Sequence, residues 1–322
     1  MLVRLISMLA DGQFHSGQEL GEILGISRAA VWKHIKKLDE LEIPYSSVKG
    51  KGYRLHEKIE VLDSEVILSH LDKRIDRLDV LLDVESTNAF LFHRAREYMG
   101  QKYAVFAEKQ TKGKGRRGRQ WVSPFGKNIY CSLLVSFQGG VSQLEGLSLV
   151  VGIAVQRALV QLGIEGVGLK WPNDIYLGGE KLAGILLEVT GEYNSHCQVV
   201  IGVGINVSLN EQDAQHIDQP WTSLTAHKAD ISRNEVAGVC LREMMAAIEE
   251  FQQNGFAAFQ EQWTNYDIYN GRQVSILTRP DSEIPACHGT VKGVNRKGEL
   301  LLQTDRGIQT ISAGEISVRP VN

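Results

Sequence analysis

The sequence predicts an α+β protein of three units: a winged helix-turn-helix over residues 1–60, a mixed-sheet domain over 61–268 and a small β-barrel over 269–322. Three observations predict this. Helical apolar spacing and capping signals fill the first 40 residues and give way to a short basic hairpin. Through the middle, strand-like runs outnumber helical ones and are joined by hairpins, which favours a mixed sheet with helices on its faces over a doubly wound nucleotide fold. After residue 270 only short strands remain, separated by Gly, Asn and Asp turns, the pattern of a small barrel.

In the first unit, Leu2, Leu5, Ile6 and Leu9 share a helix face, and Asp11-Gly12 ends that helix. Ser16-Gly17-Gln18-Glu19 is a capping box that opens a second helix with Leu20, Ile23 and Leu24 as its apolar positions. Gly25-Ile26 turns the chain, and Ser27 caps a third helix. Its Val31, Ile35 and Leu38 face inward; Arg28, Lys33, Lys36 and Lys37 face outward, with no acid between 27 and 37. Strands at Tyr45–Val48 and Tyr53–Leu55 follow, around the basic tip Lys49-Gly50-Lys51-Gly52. Two helices on a short Gly turn, the second basic, followed by a basic wing, read as a winged helix-turn-helix. Ser16, Ser27, Arg28, Lys33, Lys36, Lys37, Lys49 and Lys51 are the candidate DNA contacts. A small helical protein-interaction domain is the alternative, and the segregation of charge argues against it. Trp32 reads more readily as core than as a DNA contact.

In the second unit, a strand at Leu78–Val84 runs into the polar turn Glu85-Ser86-Thr87-Asn88, which caps a helix over 88–97. Strands at Tyr103–Glu108 and Ile129–Phe137 bracket a long connection, and Leu147–Leu162 has helical periodicity. Val167–Lys170 is a strand ending at Lys170-Trp171-Pro172-Asn173-Asp174. Ile175–Leu177 and Leu182–Val189 form a hairpin around Gly178-Gly179-Glu180-Lys181. Gln198–Val207 is a buried strand, 210–218 a surface loop, and helices follow at 234–253 and 256–264. The third unit has strands at Gln273–Leu277, His288–Val294, Leu300–Gln303 and Gln309–Ile311.

The connection after Glu108 contains GKGRRGR at 113–119, three glycines and four cations in seven residues. Cations so close repel unless an anion sits among them, and glycine lets backbone wrap closely. The reading is a loop that is mobile when empty and closes over a phosphate-bearing ligand. Gly113, Gly115 and Gly118 fit GxGxxG, but Gln120-Trp121-Val122-Ser123-Pro124 opens no helix, so the dinucleotide frame fails. No Lys-Ser/Thr closes a Walker A frame. A solvated basic loop, or one that binds nucleic acid, is the bland alternative.

Other polar residues sit beside glycines at strand ends. Lys170, Asn173 and Asp174 share one turn, and Pro172 fixes part of its backbone. Lys181 precedes an apolar run that anchors it at the mouth of a strand; alone, it reads better as a solvated turn lysine. Gly202 and Gly204 interrupt a buried strand, which points to close approach of a ligand or another backbone.

Composition sets outer limits. A net charge of −3 confines any nucleic-acid contact to a local patch. The 43% hydrophobic and 23% charged content is that of a soluble globular protein. No apolar run approaches the roughly 20 residues of a membrane span, and the N-terminus lacks the core of a signal peptide, so a cytoplasmic protein is expected. Cys131, Cys197, Cys240 and Cys287 have no metal-ligand spacing and read as free thiols, three of them in apolar stretches. The nine histidines form no HExxH, and no protein-held metal is expected.

KQTKGKGRRGRQW, ESTN, KWPNDIYL, KLAGILLE and VIGVGINV occur together behind a winged helix. This set closely resembles the bifunctional bacterial biotin–protein ligases that also act as biotin operon repressors, over essentially the whole chain. The resemblance implies a class II synthetase-like central domain and an SH3-like C-terminal barrel. It implies that Ser86, Thr87, Asn88 and Gln110 contact the biotin head, with Lys114, Gly115 and Arg116 in the loop over biotin and phosphate and Trp121 packed on biotin. Gly184, Gly202, Gly204 and Lys181 join the biotin set. Arg116, Arg119, Asn173, Lys181, Asn206 and Trp221 form the nucleotide set, with Arg117 in the same loop. Arg116, Lys181 and Asp174 are the catalytic candidates.

The implied substrates are biotin and ATP, with Mg²⁺ riding on the nucleotide and biotinyl-5′-AMP as intermediate. The implied partners are the biotin carboxyl carrier protein of acetyl-CoA carboxylase, operator DNA and a second copy of the chain, with dimerisation promoted by biotinyl-5′-AMP and no membrane involved. Position 114 is Lys where the family commonly has Arg, which keeps the charge but loses the bidentate fork. A ligand-sensing transcription factor with an inactive synthetase-like domain, a lipoate ligase and a pure DNA-binding protein are the rivals. The presence of Arg116, Lys181 and Asp174 argues against the first, the winged helix and the glycine-arginine loop against the second, and the buried glycines with KWPND against the third.

Overall fold

The computed structural model describes residues 1–72, 75–191, 196–277, 286–312 and 316–321. The N-terminal unit is α1 (Leu2–Leu9), α2 (Gly17–Leu24), α3 (Arg28–Glu40) and the hairpin β1 (Tyr45–Val48) with β2 (Gly52–Leu55). The capping box of α2 is formed reciprocally by Ser16 and Glu19, and Ser27 Oγ accepts the Ala30 N–H at the start of α3. Leu5, Ile6, Leu9, Leu20, Leu24, Val31, Ile35 and Leu38 build a small core. A bridge between His15 and Tyr53 ties the wing to the front of α2.

Two apolar side chains depart from the sequence reading. Ile23 is 55% exposed, because Leu20 and Leu24 already fill the narrow inward stripe of an eight-residue helix. Trp32 is 53% exposed and not core. It stands four residues from both Arg28 and Lys36, which puts it on the outward basic face of α3.

The central unit begins with α4 (Ser64–Ser69), a helix absent from the sequence reading because it spans only six residues. Then come β3 (Arg77–Leu81), α5 (Thr87–Arg94), β4 (Tyr103–Ala107), β5 (Ile129–Gln138), α6 (Leu147–Gln161), β6 (Gly168–Lys170), β7 (Asp174–Leu177), β8 (Glu180–Gly191), β9 (His196–Ile205), α7 (Arg233–Asn254) and α8 (Gln260–Tyr266). Seven strands pair in the order β3-β4-β5-β9-β8-β7-β6. Only β3 and β4 run parallel, so the sheet is mixed as expected. One face packs on α6 and α7 in the main core, and the other carries α5 over Tyr103, Val105, Leu134 and Val200.

Contrary to the sequence reading, one helical stretch, Val141–Gln161, is long and apolar enough to span a membrane. Its apolarity is spent on the main core, where Val150, Ile153, Ala154 and Ala158 are fully buried. Cys131, Cys197 and Cys240 are buried free thiols, and Cys287 is half-buried.

The C-terminal unit is β10 (Gln273–Leu277), β11 (Cys287–Val294), β12 (Leu300–Thr304), β13 (Gly307–Ile311) and β14 (Ser317–Pro320), antiparallel in the order β13-β12-β11-β10-β14. The sequence reading missed β14. The inward residues Val274, Ile276, Val291, Leu302 and Val318 belong to the same core as the central sheet. Trp171, buried, donates its indole N–H to the Gly298 carbonyl at 3.0 Å and adds a polar tie between the units.

Candidate functional site

Side chains along a strand alternate between faces, and this parity builds the site. In β9, Cys197, Val199, Ile201, Val203 and Ile205 point into the α6–α7 core, so Val200, Gly202 and Gly204 point to the α5 side. Register then lays two rows across the sheet on that side. Ser132, Gly202 and Leu186 form one; Tyr130, Gly204, Gly184, Asp174 and Lys170 form the other. The glycines empty the middle of both rows.

Protein side chains approach the glycines, which the expectation of a ligand or another backbone did not include, and both glycines also line the cavity. A Cβ on Gly202 would lie 2.2 Å from Asn88 Oδ1, and one on Gly204 would lie 2.5 Å from the Trp121 indole. Gly184 is also close, with a Cβ there 3.1 Å from the same ring. The sheet is therefore hollowed to seat Asn88 and Trp121, and these shape the cavity above it.

At one end, Ser86 caps α5, placing Thr87 and Asn88 on its first turn. Gln110 Oε1 accepts the Thr87 N–H at 2.9 Å and its hydroxyl at 3.1 Å, while Gln110 Nε2 donates to Ser123 Oγ at 3.0 Å. The Ser132 hydroxyl reaches Thr87 Oγ1 at 2.8 Å and Asn88 Oδ1 at 2.6 Å. The Trp121 Nε1–H is buried against Gly204 and meets no acceptor among the described residues.

The other end is charged. Lys181 Nζ and Asp174 Oδ1 are 2.8 Å apart, with side chains 15% and 18% exposed. A β-bulge brings Lys181 there: Ile175 pairs with Ala183 but Tyr176 with Lys181, so Leu182 is an extra residue. Both Leu182 and Ala183 enter the core, and Lys181 is turned to the cavity face instead of following Ala183 and Ile185 inward. The solvated-turn reading of Lys181 is thereby replaced. Arg116 Nη1 donates to Asn173 Oδ1 at 2.9 Å, and Asn173 Nδ2 donates to the Ile185 carbonyl at 2.9 Å. Burial, then the neighbouring Arg117, disfavour the positive charge of Arg116, and Asp174 offsets part of this. An incoming anion relieves the same strain. Burial, helped by Asp174, pushes the Tyr176 phenol up to about 12, so it stays a neutral donor or acceptor beside Lys170, 3.0 Å away.

The glycine-arginine loop is a small hairpin rather than a featureless span. Lys114 bridges Gln120, Gly115 N–H donates to the Arg119 carbonyl at 2.7 Å and Trp121 N–H to the Gly113 carbonyl at 2.9 Å. Arg117 turns the tip in the left-handed region at φ 60°.

Ser86, Thr87, Asn88, Gln110, Lys114, Gly115, Arg116, Arg119, Trp121, Asn173, Asp174, Lys181, Gly184, Gly202 and Gly204 line this one cavity, with Arg117 among them. Asn206 and Trp221 do not. The Asn206 amide is buried and donates to the Thr222 carbonyl at 3.0 Å, holding the segment that carries Trp221 against Lys181. Sequence reading missed Tyr130 and Gln219, and it missed Ser317 and Val318 of β14, which bring the C-terminal unit to the cavity; it also missed Ser132, buried behind the lining and bonded to Thr87 and Asn88. Strand parity could have found Ser132; nothing local to 317–318 signals a site.

In the winged helix, Ser27, Arg28, Lys33, Lys36, Lys37, Lys49 and Lys51 are exposed. Lys36 pairs with Asp39 at 3.4 Å. Ser16 and Ser27 use their hydroxyl oxygens as caps, leaving the hydroxyl protons to donate outward. Arg54 stacks on Phe14 at 4.7 Å beside the wing, a cation the sequence reading did not single out.

A polar pocket closed by a cationic hairpin, on a mixed sheet in one chain with a winged helix, defines a ligase-type domain joined to a DNA-binding module. Residues 81–206 match the biotin/lipoate A/B protein ligase family, 3–54 an HTH domain family and 270–319 the biotin protein ligase C-terminal domain. The chain is 41% identical to the bifunctional ligase/repressor BirA of Escherichia coli (strain K12) over 98% of its own length and 97% of that protein's. It is 30% identical to the BirA of Bacillus subtilis (strain 168) over 98% and 97%. The solved biotin protein ligase of Aquifex aeolicus in complex with biotin and ATP superposes with a TM-score of 0.64 at 30% identity, covering 77% of this chain and all of that one. The chain belongs to the bifunctional biotin–protein ligase/repressor family.

Proposed function

We propose that this chain makes biotinyl-5′-AMP from biotin and MgATP, transfers the biotinyl group to a lysine of a biotin carboxyl carrier protein, and represses transcription as a dimer that carries the adenylate. The observation that carries the enzymatic reading is the polarity of the cavity. Neutral hydroxyl and amide groups of Thr87, Asn88 and Gln110 occupy one end, and Arg116, Lys181 and Asp174 the other. That distribution suits a ligand with a neutral hydrogen-bonding head and a reacting carboxylate.

In the first half-reaction, a carboxylate oxygen attacks the α-phosphorus and the bond to pyrophosphate breaks. Arg116 and Lys181 neutralise the charge that develops, and loss of one such preorganised donor typically lowers the rate about 10²–10³-fold. Mg²⁺ enters with the nucleotide; among the described residues no cluster of three or more His, Cys, Asp or Glu forms a protein-held metal site. In the second, the acceptor amine attacks the acyl carbon, the bond to the phosphate oxygen breaks, and AMP leaves. Asp174, paired to Lys181, orients the amine or accepts its proton. The loop excludes water from the mixed anhydride.

Incubation with biotin, MgATP and an acceptor domain, followed by a probe for covalent biotin, tests the ligase. Absence of label overturns it. If Asp174→Asn leaves transfer from preformed adenylate unchanged, the role given to Asp174 is wrong.

The repressor reading rests on the winged helix. One small module with a handful of phosphate contacts binds weakly at physiological salt, whereas two joined on a palindrome bind both half-sites. Sedimentation with and without biotinyl-5′-AMP measures the coupling, and equal dimerisation in both states sinks it.

A further inference from the structure

Glu188 lies outside the cavity lining yet touches it on two sides, at Asn88 of α5 and at Lys114 of the hairpin. It sits on β8, on the cavity side of the sheet by parity with Gly184 and Leu186. Its Oε2 accepts from Asn88 Nδ2 at 2.9 Å, and its Oε1 pairs with Lys114 Nζ at 3.4 Å. Asn88 also donates to the Leu186 carbonyl at 3.3 Å and accepts from Ser132 at 2.6 Å. A carboxylate only accepts, so Glu188 fixes which way the Asn88 amide faces. The NH₂ turns to Glu188, the carbonyl turns to Ser132, and the Ser132 hydroxyl is shared between Asn88 and Thr87. The other Glu188 oxygen holds Lys114 of the lid, whereas Arg116 of the same lid is directed to Asn173.

We propose that Glu188 is a positioning residue that couples lid closure to alignment of the cavity floor, so that the intermediate is retained by a Lys114–Glu188–Asn88 latch. This rests on the adenylate-forming reading above. A misaligned Asn88 no longer holds Glu188 in reach of Lys114, and an open lid leaves the carboxylate with one partner fewer. The pair is partly exposed, with side chains 47% and 25% accessible, so the expected effects are moderate.

The test is the release of biotinyl-5′-AMP from the full-length protein, followed by stopped-flow fluorescence after a single adenylation turnover. Lys114→Ala and Glu188→Gln each remove the ion pair; Glu188→Gln keeps an acceptor for Asn88. Each is expected to speed release about two- to fivefold. The double variant is expected to match the singles rather than their product, since all three variants lack the same ion pair. Glu188→Ala also strips the Asn88 acceptor and is expected to raise the biotin KM about tenfold, an effect Glu188→Asp partly restores. Unchanged release in both single variants, or multiplying effects in the double, overturns the latch. If the wild-type protein forms no adenylate at all, the functional reading fails, and that result is distinct from failure of the latch. Circular dichroism and thermal unfolding of each variant separate a lost latch from a lost fold.

Discussion

Lys109 and Glu42 are 2.7 Å apart across the boundary between the central unit and the winged helix. Lys109 immediately precedes Gln110, the residue that fixes Thr87. The previous residue, Glu108, is fully buried; it pairs with Arg233 at 2.9 Å and accepts the Leu62 N–H. Further along, Phe125 is inserted into the winged-helix core. The segment that carries the lid is thus also the platform on which the DNA-binding unit rests.

Phe125→Ala should destabilise the winged helix strongly. Removing a buried aromatic side chain costs about 3–5 kcal/mol, here from a core of only a dozen buried side chains. Limited proteolysis should show faster cleavage between residues 56 and 61, while Glu42→Ala, which takes its partner from the buried Lys109 ammonium, should cost about 1–3 kcal/mol.

Gly204→Ala should damage ligand binding more than folding. The added methyl would sit 2.5 Å from the Trp121 ring, which must leave its seat on the sheet. Calorimetry should show biotin affinity down by about tenfold or more, equivalent to roughly 1.4 kcal/mol of binding free energy. Unchanged affinity would falsify the seating of Trp121 by Gly204.

Asp267 gives a pH dependence with a defined sign. Burial pushes its carboxyl up to about 6 from an ordinary 3.8, although the Tyr269 N–H hydrogen bond pulls the other way. The folded state therefore holds a proton that the unfolded chain has released between about pH 4 and 6. Stability falls as pH rises through that window, by about 1.4 kcal/mol per pH unit. Urea unfolding of Asp267→Asn should be close to wild type near pH 4 and more stable than wild type, by about 1–3 kcal/mol, above pH 7.

Lys33→Ala and Lys49→Ala should each weaken DNA binding at every sequence alike. Removing one lysine–phosphate ion pair should reduce the slope of log K against log salt by about 0.9. Trp32→Ala is different: an exposed aromatic on the basic face contributes contact without charge, so affinity should fall with no change in slope. Fluorescence anisotropy over a salt series reads both.

Much of the fold is legible in local sequence. The Ser16–Glu19 capping box, the Ser27 cap and the stripe of Val31, Ile35 and Leu38 are local signals, and the helices follow them. The strands of the central sheet are long apolar runs and fall where expected, within a few residues at their ends. Where local signals are weak, the reading fails: α4 is too short for a periodic pattern, β14 has only four residues, and Trp32 is apolar in composition but outward by position. Gly202 and Gly204 announced that something comes close, but not that it is Asn88 and Trp121.

By itself, the sequence determined the local features that border the cavity. Residue type and neighbours mark the GKGRRGR loop, the polar turn at Ser86-Thr87-Asn88 and the turn with Asn173 and Asp174, whereas Lys181 alone reads as a solvated turn lysine. Only the tertiary structure decided which way they face. Face is set by strand register, and register depends on partners far away in the chain. The bulge at Leu182 is the clearest case: without one extra residue opposite Tyr176, Lys181 would point into the apolar core rather than at Asp174. Likewise, Glu188 meets Lys114 and Asn88 only because β8 pairs with β9 in a register that puts residues 184, 186 and 188 on the cavity side.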